Sequence, residues 1–130
     1  MQARNLKELI ALARAQPDKL TFGSAGNGTA SHLAGELLNS MAGIRITHVP
    51  YKGSAPASAD LVGGHISAAF PSVALATPQA QSGKLRLIGV ASLKRAGTLP
   101  DVPTIAESGL AGFEVLSWYG LVAPARTPPA

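Results

Sequence analysis

The residues best suited to chemistry lie in one stretch, Thr21-Phe22-Gly23-Ser24-Ala25-Gly26-Asn27-Gly28-Thr29-Ala30-Ser31-His32. A short apolar run leads through three glycines into a helical pattern. Glycine lets the backbone turn sharply and bring its N–H groups close to a ligand. A helix start adds unpaired N–H donors and the positive end of a dipole. Together they make a place for an anion, either a carboxylate or a phosphate. The spacing then narrows the choice. Gly23-x-x-x-x-Gly28 has the spacing of a phosphate-binding P-loop, but Thr29 stands where the lysine must be, and Ala30 follows in place of Ser or Thr. Without that lysine nothing neutralises the β and γ phosphates. The dinucleotide pattern begins at Gly26 and Gly28 but meets Ser31 at its third glycine. A bare steric turn would explain the glycines. It would not explain the hydroxyl and amide groups of Ser24, Asn27, Thr29 and Ser31.

Catalysis would need a nucleophile with a base, or two converging carboxylates. No Gly-x-Ser-x-Gly elbow is present. Asp18, Asp60 and Asp101 fall in a turn, a helix and a loop, away from the loops that could meet. His32 sits beside the glycine loop, where it can bond a ligand or the neighbouring backbone. His48 and His65 make no metal-ligand spacing with it. The stretch is rich in donors and poor in proton-transfer groups, which favours binding over chemistry. No catalytic residue, metal or cofactor is assigned.

Short alternating elements must position this loop. Asn5 caps a first helix with Glu8 three residues on, and Leu6, Leu9, Ile10 and Ala13 form its apolar stripe. Pro17 ends it. Leu20 to Gly23 reads as a strand. The helix after the glycine loop carries Leu33, Leu37, Leu38 and Met41 and stops at Gly43. Arg45 to Tyr51 alternates as a strand. Tyr51-Lys52-Gly53-Ser54 is a second strand-to-helix loop, with Pro56 in the first helical turn and Gly63-Gly64 as the stop. Ile66 to Phe70 is a short strand, and Pro71-Ser72 a third loop into a helix that contains Pro78 and closes at Ser82-Gly83. Leu85 to Ala91 reads as a strand, Ser92 to Pro103 as a loop and Thr104 to Glu107 as a short capped helix. Glu114 to Val122 reads as a last strand, with Trp118-Tyr119 in a core or an interface. Strands alternating with helices predict an α/β fold, a parallel sheet with helices on both faces. In such sheets ligands bind at the carboxyl ends of the strands, where residues 23–31, 51–54 and 71–72 converge. Tyr51 is placed there as a pocket wall.

Composition agrees with this class. The 130 residues suffice for one domain, and 46% of them are hydrophobic. Eleven basic and seven acidic residues give a net charge of +4. The basic residues are scattered without the dense, aromatic-interleaved stripe of a nucleic-acid binder. A small anionic ligand suits them better. The absence of cysteine removes disulfides and thiolate chemistry. No apolar run is long enough for a membrane-spanning helix. Met1 is followed by a polar amphipathic segment, so no secretory signal is expected in this chain.

Four runs carry a family resemblance: residues 23–33, His48-Val49-Pro50-Tyr51-Lys52-Gly53, Leu85-Arg86, and Leu99-Pro100-Asp101-Val102-Pro103-Thr104. They resemble the Bug family, the extracytoplasmic solute receptors of tripartite tricarboxylate transporters, over nearly the whole chain. The resemblance implies the second domain of a two-domain, Venus-flytrap receptor. Its fold would be a three-layer sandwich of the type II periplasmic-binding-protein kind, with a mostly parallel sheet and an antiparallel hinge-derived strand. Residues 1–123 would form the lobe and 124–130 a hinge or linker tail. The implied setting is the periplasm, with a missing first lobe and membrane transporter subunits as partners and no nucleic acid. The implied ligand is a small organic carboxylate, held at Ser24, Gly26, Asn27, Gly28, Thr29, Ala30, Ser31 and His32, with Tyr51, Pro71 and Ser72 completing the site. Many relatives have an acidic residue where Pro71 stands here. This favours a plain or aromatic carboxylate over an α-amino acid. An isolated lobe would fold but bind weakly, because half of the clamp is absent. Two rival readings share parts of this pattern: the effector domain of a LysR-type regulator, and a small α/β transferase holding a phosphate on the glycine loop.

Overall fold

A computed structural model describes residues 2–129. The element order is α1 (Leu6–Ala15), β1 (Thr21–Ser24), α2 (Ala30–Ala42), β2 (Thr47–Pro50), α3 (Ser54–Gly63), β3 (Ala68–Ala69) and α4 (Val73–Gln81). The three strands form one parallel sheet in the order β2-β1-β3. Thr21 to Ser24 pair in register with Thr47 to Pro50, while Phe22 and Gly23 pair with Ala68 and Ala69. The sheet is parallel because each connection carries a helix across it.

Strand alternation in β1 sends successive side chains to opposite faces. Phe22 points one way, is 1% exposed, and packs with Leu6, Leu9 and Ala13 of α1, Leu38 and Ala42 of α2, and Ile44 and Ile46 before β2. Gly23 points the other way. A Cβ there would meet Ile66, Tyr51 and Ala57 of α3. These two directions give the three layers: α1 and α2, the sheet, and α3.

The helices start and stop as the sequence predicts. The Asn5 side chain accepts the Glu8 N–H at 2.9 Å, and the Glu8 carboxylate accepts the Arg4 N–H at 2.7 Å. Gly43 and Gly64 close α2 and α3 in the left-handed conformation. Ser72 caps α4, which continues through Pro78.

Beyond α4 the structure departs from the sequence expectations. Leu85 to Ala91 is not a strand. A single parallel bridge joins Val90 to Thr104, through Val90 N–H to Pro103 O and Ile105 N–H to Val90 O, both at 2.9 Å. A strand requires a partner along its length. Here Leu85–Ala91 and Ala68–Phe70 both line an open groove of about 1390 Å³. Residues 105–109 form a turn instead of the expected helix. Thr104 Oγ1 does accept the Glu107 N–H at 2.9 Å, but the chain breaks off at Gly109, which has a φ of 127°. Glu114 to Val122 is irregular, and Trp118, Tyr119 and Leu121 are 86%, 96% and 102% exposed, so the aromatic pair is not core. Among the described residues the sheet holds no antiparallel strand. The expected tail, 124–130, has no helix or strand up to Pro129. Its last residue, Ala130, lies outside the described residues, as does Met1.

Candidate functional site

The carboxyl ends of all three strands open on the same edge, and the loops leaving β1 and β2 are bonded to each other. Tyr51 N–H donates to Ser24 O at 3.0 Å, and Gly53 N–H to Ala25 O at 3.1 Å. This approach depends on glycine. Gly26 has a φ of 136°, and a Cβ there would lie 3.4 Å from Tyr51 O. Residues other than glycine rarely adopt such a conformation.

Most of the loop's polar side chains turn inward and fasten it. Ser24 is 1% exposed. Its Oγ accepts the Gly26 N–H at 3.1 Å, lies 3.1 Å from Gly26 O, and lies 2.6 Å from His48 Nε2. Ser31 Oγ accepts the Ala25 N–H at 2.9 Å and pairs with Thr29 Oγ1 at 3.1 Å. Thr29 Oγ1 donates to Gly26 O at 2.7 Å. His32 Nδ1 accepts the Gly28 N–H at 2.9 Å. The hydroxyl surplus that separates this loop from a bare turn therefore serves the loop's shape.

What the fastening leaves over are backbone donors. Among the described residues, the N–H groups of Asn27, Ala30, Ser31 and His32 have no hydrogen-bond partner. The last three form the first turn of α2, where no intrahelical acceptor exists. Thr29 at its N-cap makes no side-chain cap, and neither does Gly53 at the start of α3. In contrast, Asn5 and Ser72 cap α1 and α4. The two helices that begin at the joined loops are the two left uncapped.

The remaining expected site residues take mixed places. The Tyr51 hydroxyl donates to Asp60 Oδ2 at 2.6 Å, and this bond raises its pKa above the ordinary phenol range. Tyr51 thus ties the β2 loop to α3, with its ring against Gly23. Pro71 lines a small cavity of about 10 Å³ at the strand tips, with Ser24, Ala25, Ser31, Ser54 and Ser58. That is room for about one water. Ser72 is exposed, and its Oγ accepts the Leu75 N–H at 3.3 Å. Sequence reasoning reaches neither Ser58, inside a helix, nor His48. The signal for His48 was available: alternation places it on the same face as Ile44 and Ile46, and a histidine on an apolar face needs a partner. Among the described residues no three His, Asp or Glu side chains gather as metal ligands. No described helix is long and apolar enough to cross a membrane.

Comparison with known proteins gives this geometry a family. The sequence profile described as "Tripartite tricarboxylate transporter family receptor" matches residues 1–130. The chain belongs to that receptor family. Among curated relatives, the UPF0065 protein encoded in the tcbD–tcbE intergenic region of Pseudomonas sp. strain P51 is 48% identical over 126 residues, covering 96% of this chain and 38% of its own length. Among solved structures, R. palustris Rpa4515 with adipate superposes with a TM-score of 0.95 at 38% identity, over 98% of this chain and 43% of that one. The periplasmic binding protein BugD gives a TM-score of 0.78 at 42% identity, over 88% and 38%. The family receptor domain seen here therefore spans less than half the length of these relatives. The match supports the Bug resemblance and the α/β fold class, and favours neither a DNA-binding regulator nor a transferase.

Proposed function

We propose that this chain is the second ligand-binding lobe, residues 1–123 followed by a linker tail, of a periplasmic receptor that captures a small carboxylate for a membrane transporter. The observation that carries the reading is the pair of uncapped helix N-termini at the joined β1 and β2 loops. Free N–H groups and two converging helix dipoles favour an anion, and the adipate-bound relative indicates which kind. The carboxylate is received by the N–H groups of Asn27, Ala30, Ser31 and His32. Ser24, Thr29, Ser31 and His32 hold the loop, and Gly26 and Gly28 give it its turns. Tyr51, Pro71 and Ser72 stand around the pocket rather than on the anion. The lobe acts by binding and release, without chemistry on the ligand. A first lobe would close over the ligand's other end, and transporter subunits would receive the closed receptor.

The test is amide NMR of the chain titrated with adipate, benzoate and inorganic phosphate. The reading expects weak, saturable shifts for adipate or benzoate at Asn27, Ala30, Ser31, His32 and Ser54. A stronger response to phosphate, or shifts confined to other residues, would overturn it.

A further inference from the structure

Three rings are stacked beneath the loop. Phe22 and His48 lie with centroids 5.0 Å apart at 29°, and His48 and His32 lie 3.9 Å apart at 9°. Each imidazole reaches a different point of the loop. His48 Nε2 lies 2.6 Å from Ser24 Oγ, and His32 Nδ1 accepts the Gly28 N–H at 2.9 Å. His48 belongs to the neighbouring strand and touches none of the free donors, yet both the buried serine and the second histidine rest on it.

We infer that His48 is a positioning residue for the anion loop, and that the stacked His48–His32 pair releases the loop when it takes up a proton. The inference rests on the carboxylate-site reading for its consequence but not for its mechanism. The Gly28 bond needs a lone pair on His32 Nδ1, so that ring must be neutral with its proton on Nε2, which faces Glu36 Oε1 at 3.8 Å. A second proton on Nδ1 sets one N–H against another, and Gly28 must leave. The bonds at Ser24 agree with one another when His48 donates from Nε2 and Ser24 Oγ donates to Gly26 O. Two stacked imidazolium rings would repel each other strongly at this distance. The charges that act on His48 are His32 and Glu36. Burial holds its pKa below the ordinary histidine range, His32 adds to this, and Glu36 opposes both. The fold therefore favours neutral His48, while the Gly28 bond requires the Nδ1 lone pair of His32; a proton at Nδ1 opens the latch.

The experiment follows the Gly28 amide by NMR, from about pH 8 to about pH 5, the range over which histidines titrate. In the native sequence the Gly28 resonance should lose its hydrogen-bonded position along one titration curve. Its exchange, corrected for intrinsic rate, should quicken about tenfold, the worth of one hydrogen bond. His32→Asn puts an amide oxygen where Nδ1 stood and should make Gly28 insensitive to pH. His48→Phe keeps a ring in the stack but removes the Nε2 contact to Ser24 Oγ, so the Gly28 amide should exchange faster than in the native chain even at about pH 8. Adipate affinity should fall about tenfold between about pH 8 and about pH 6 in the native chain, and stay level in His32→Asn. A Gly28 amide indifferent to pH in the native chain, or unchanged Gly28 exchange in His48→Phe, overturns the inference. If Gly28 titrates as described while adipate binds nowhere, the latch stands and the carboxylate reading falls.

Discussion

Replacing Gly35 by alanine sets two effects of opposite sign against each other. Glycine inside a helix costs about 1 kcal/mol relative to alanine, so propensity alone predicts a gain. Packing predicts a loss. A Cβ at Gly35 would stand 2.0, 2.2 and 2.5 Å from three ring carbons of Phe22. Ordinary carbon contact is about 3.5–4.0 Å, so the ring or α2 must shift by about 1.5 Å. The ring has nowhere to go. Phe22 is 1% exposed, lies against His48 on one side and meets Phe70 edge-on at 6.4 Å on another. Overpacking of this kind costs about 1–3 kcal/mol and occasionally more. The close approach to three atoms of a boxed ring puts Gly35→Ala at the upper end. The expected net loss is about 2 kcal/mol after the propensity gain. Urea unfolding followed by far-ultraviolet circular dichroism measures it, since Trp118 is 86% exposed and gives a poor fluorescence signal. Gly97→Ala is the control: a Cβ there meets nothing within 4 Å. It should change stability by less than about 0.5 kcal/mol. A Gly35→Ala chain as stable as the original would refute the packing argument and show that α2 can rise off the sheet without cost.

Three further outcomes can be checked. Ala30→Pro should delete one free donor while leaving α2 intact, because proline suits a first helical position and Thr29 already has the extended ψ of 163° that a following proline demands. Unchanged melting with adipate affinity lowered by about 1.5–3 kcal/mol, the range for a bond to a charged group, is expected in calorimetry. Asn5→Ala should cost about 1 kcal/mol in chemical unfolding through loss of the Glu8 N–H cap. The hydrogen bond from Arg95 holds the Glu107 carboxyl below the usual carboxylate range. The unfolded chain then binds the proton more readily, so the pair's stabilisation is complete above the ordinary glutamate pKa of about 4.3 and is lost as pH falls through the folded value. Thermal melts from neutral pH into acid should show this loss, and Glu107→Gln should remove that part of the slope.

Legibility in the sequence followed the range of the interactions. Helices set by their own capping residues were readable: Asn5 with Glu8, Gly43 and Gly64 all act within a few residues of where they stand. The turn of the β1 loop and the helix start after it were readable because the glycines and the first turn of α2 are local. The roles inside it were not. Ser24 and Ser31 have the same chemistry whether they face a ligand or fasten the backbone, and only the fold brings His48 of β2 under Ser24 of β1. The strand pattern of Leu85 to Ala91 and of Glu114 to Val122 was real as apolar alternation. A strand is completed by a neighbour, however, and among the described residues neither segment has one along its length. The helix with Pro78 inside it, closing at Ser82, also stands as α4.

The inward-facing hydroxyls of the glycine loop have a consequence for the energetics of recognition. A loop fastened by Ser24, Thr29, Ser31 and His32 is ordered before any ligand arrives. The conformational entropy of arranging the donors is lost during folding and not at the moment of capture. Binding at this end should then be an encounter with a rigid, preorganised cup, with fast association and little local rearrangement. On the proposed reading, preference among carboxylates would be set by residues around the cup, which can vary without disturbing the backbone donors offered to the common group.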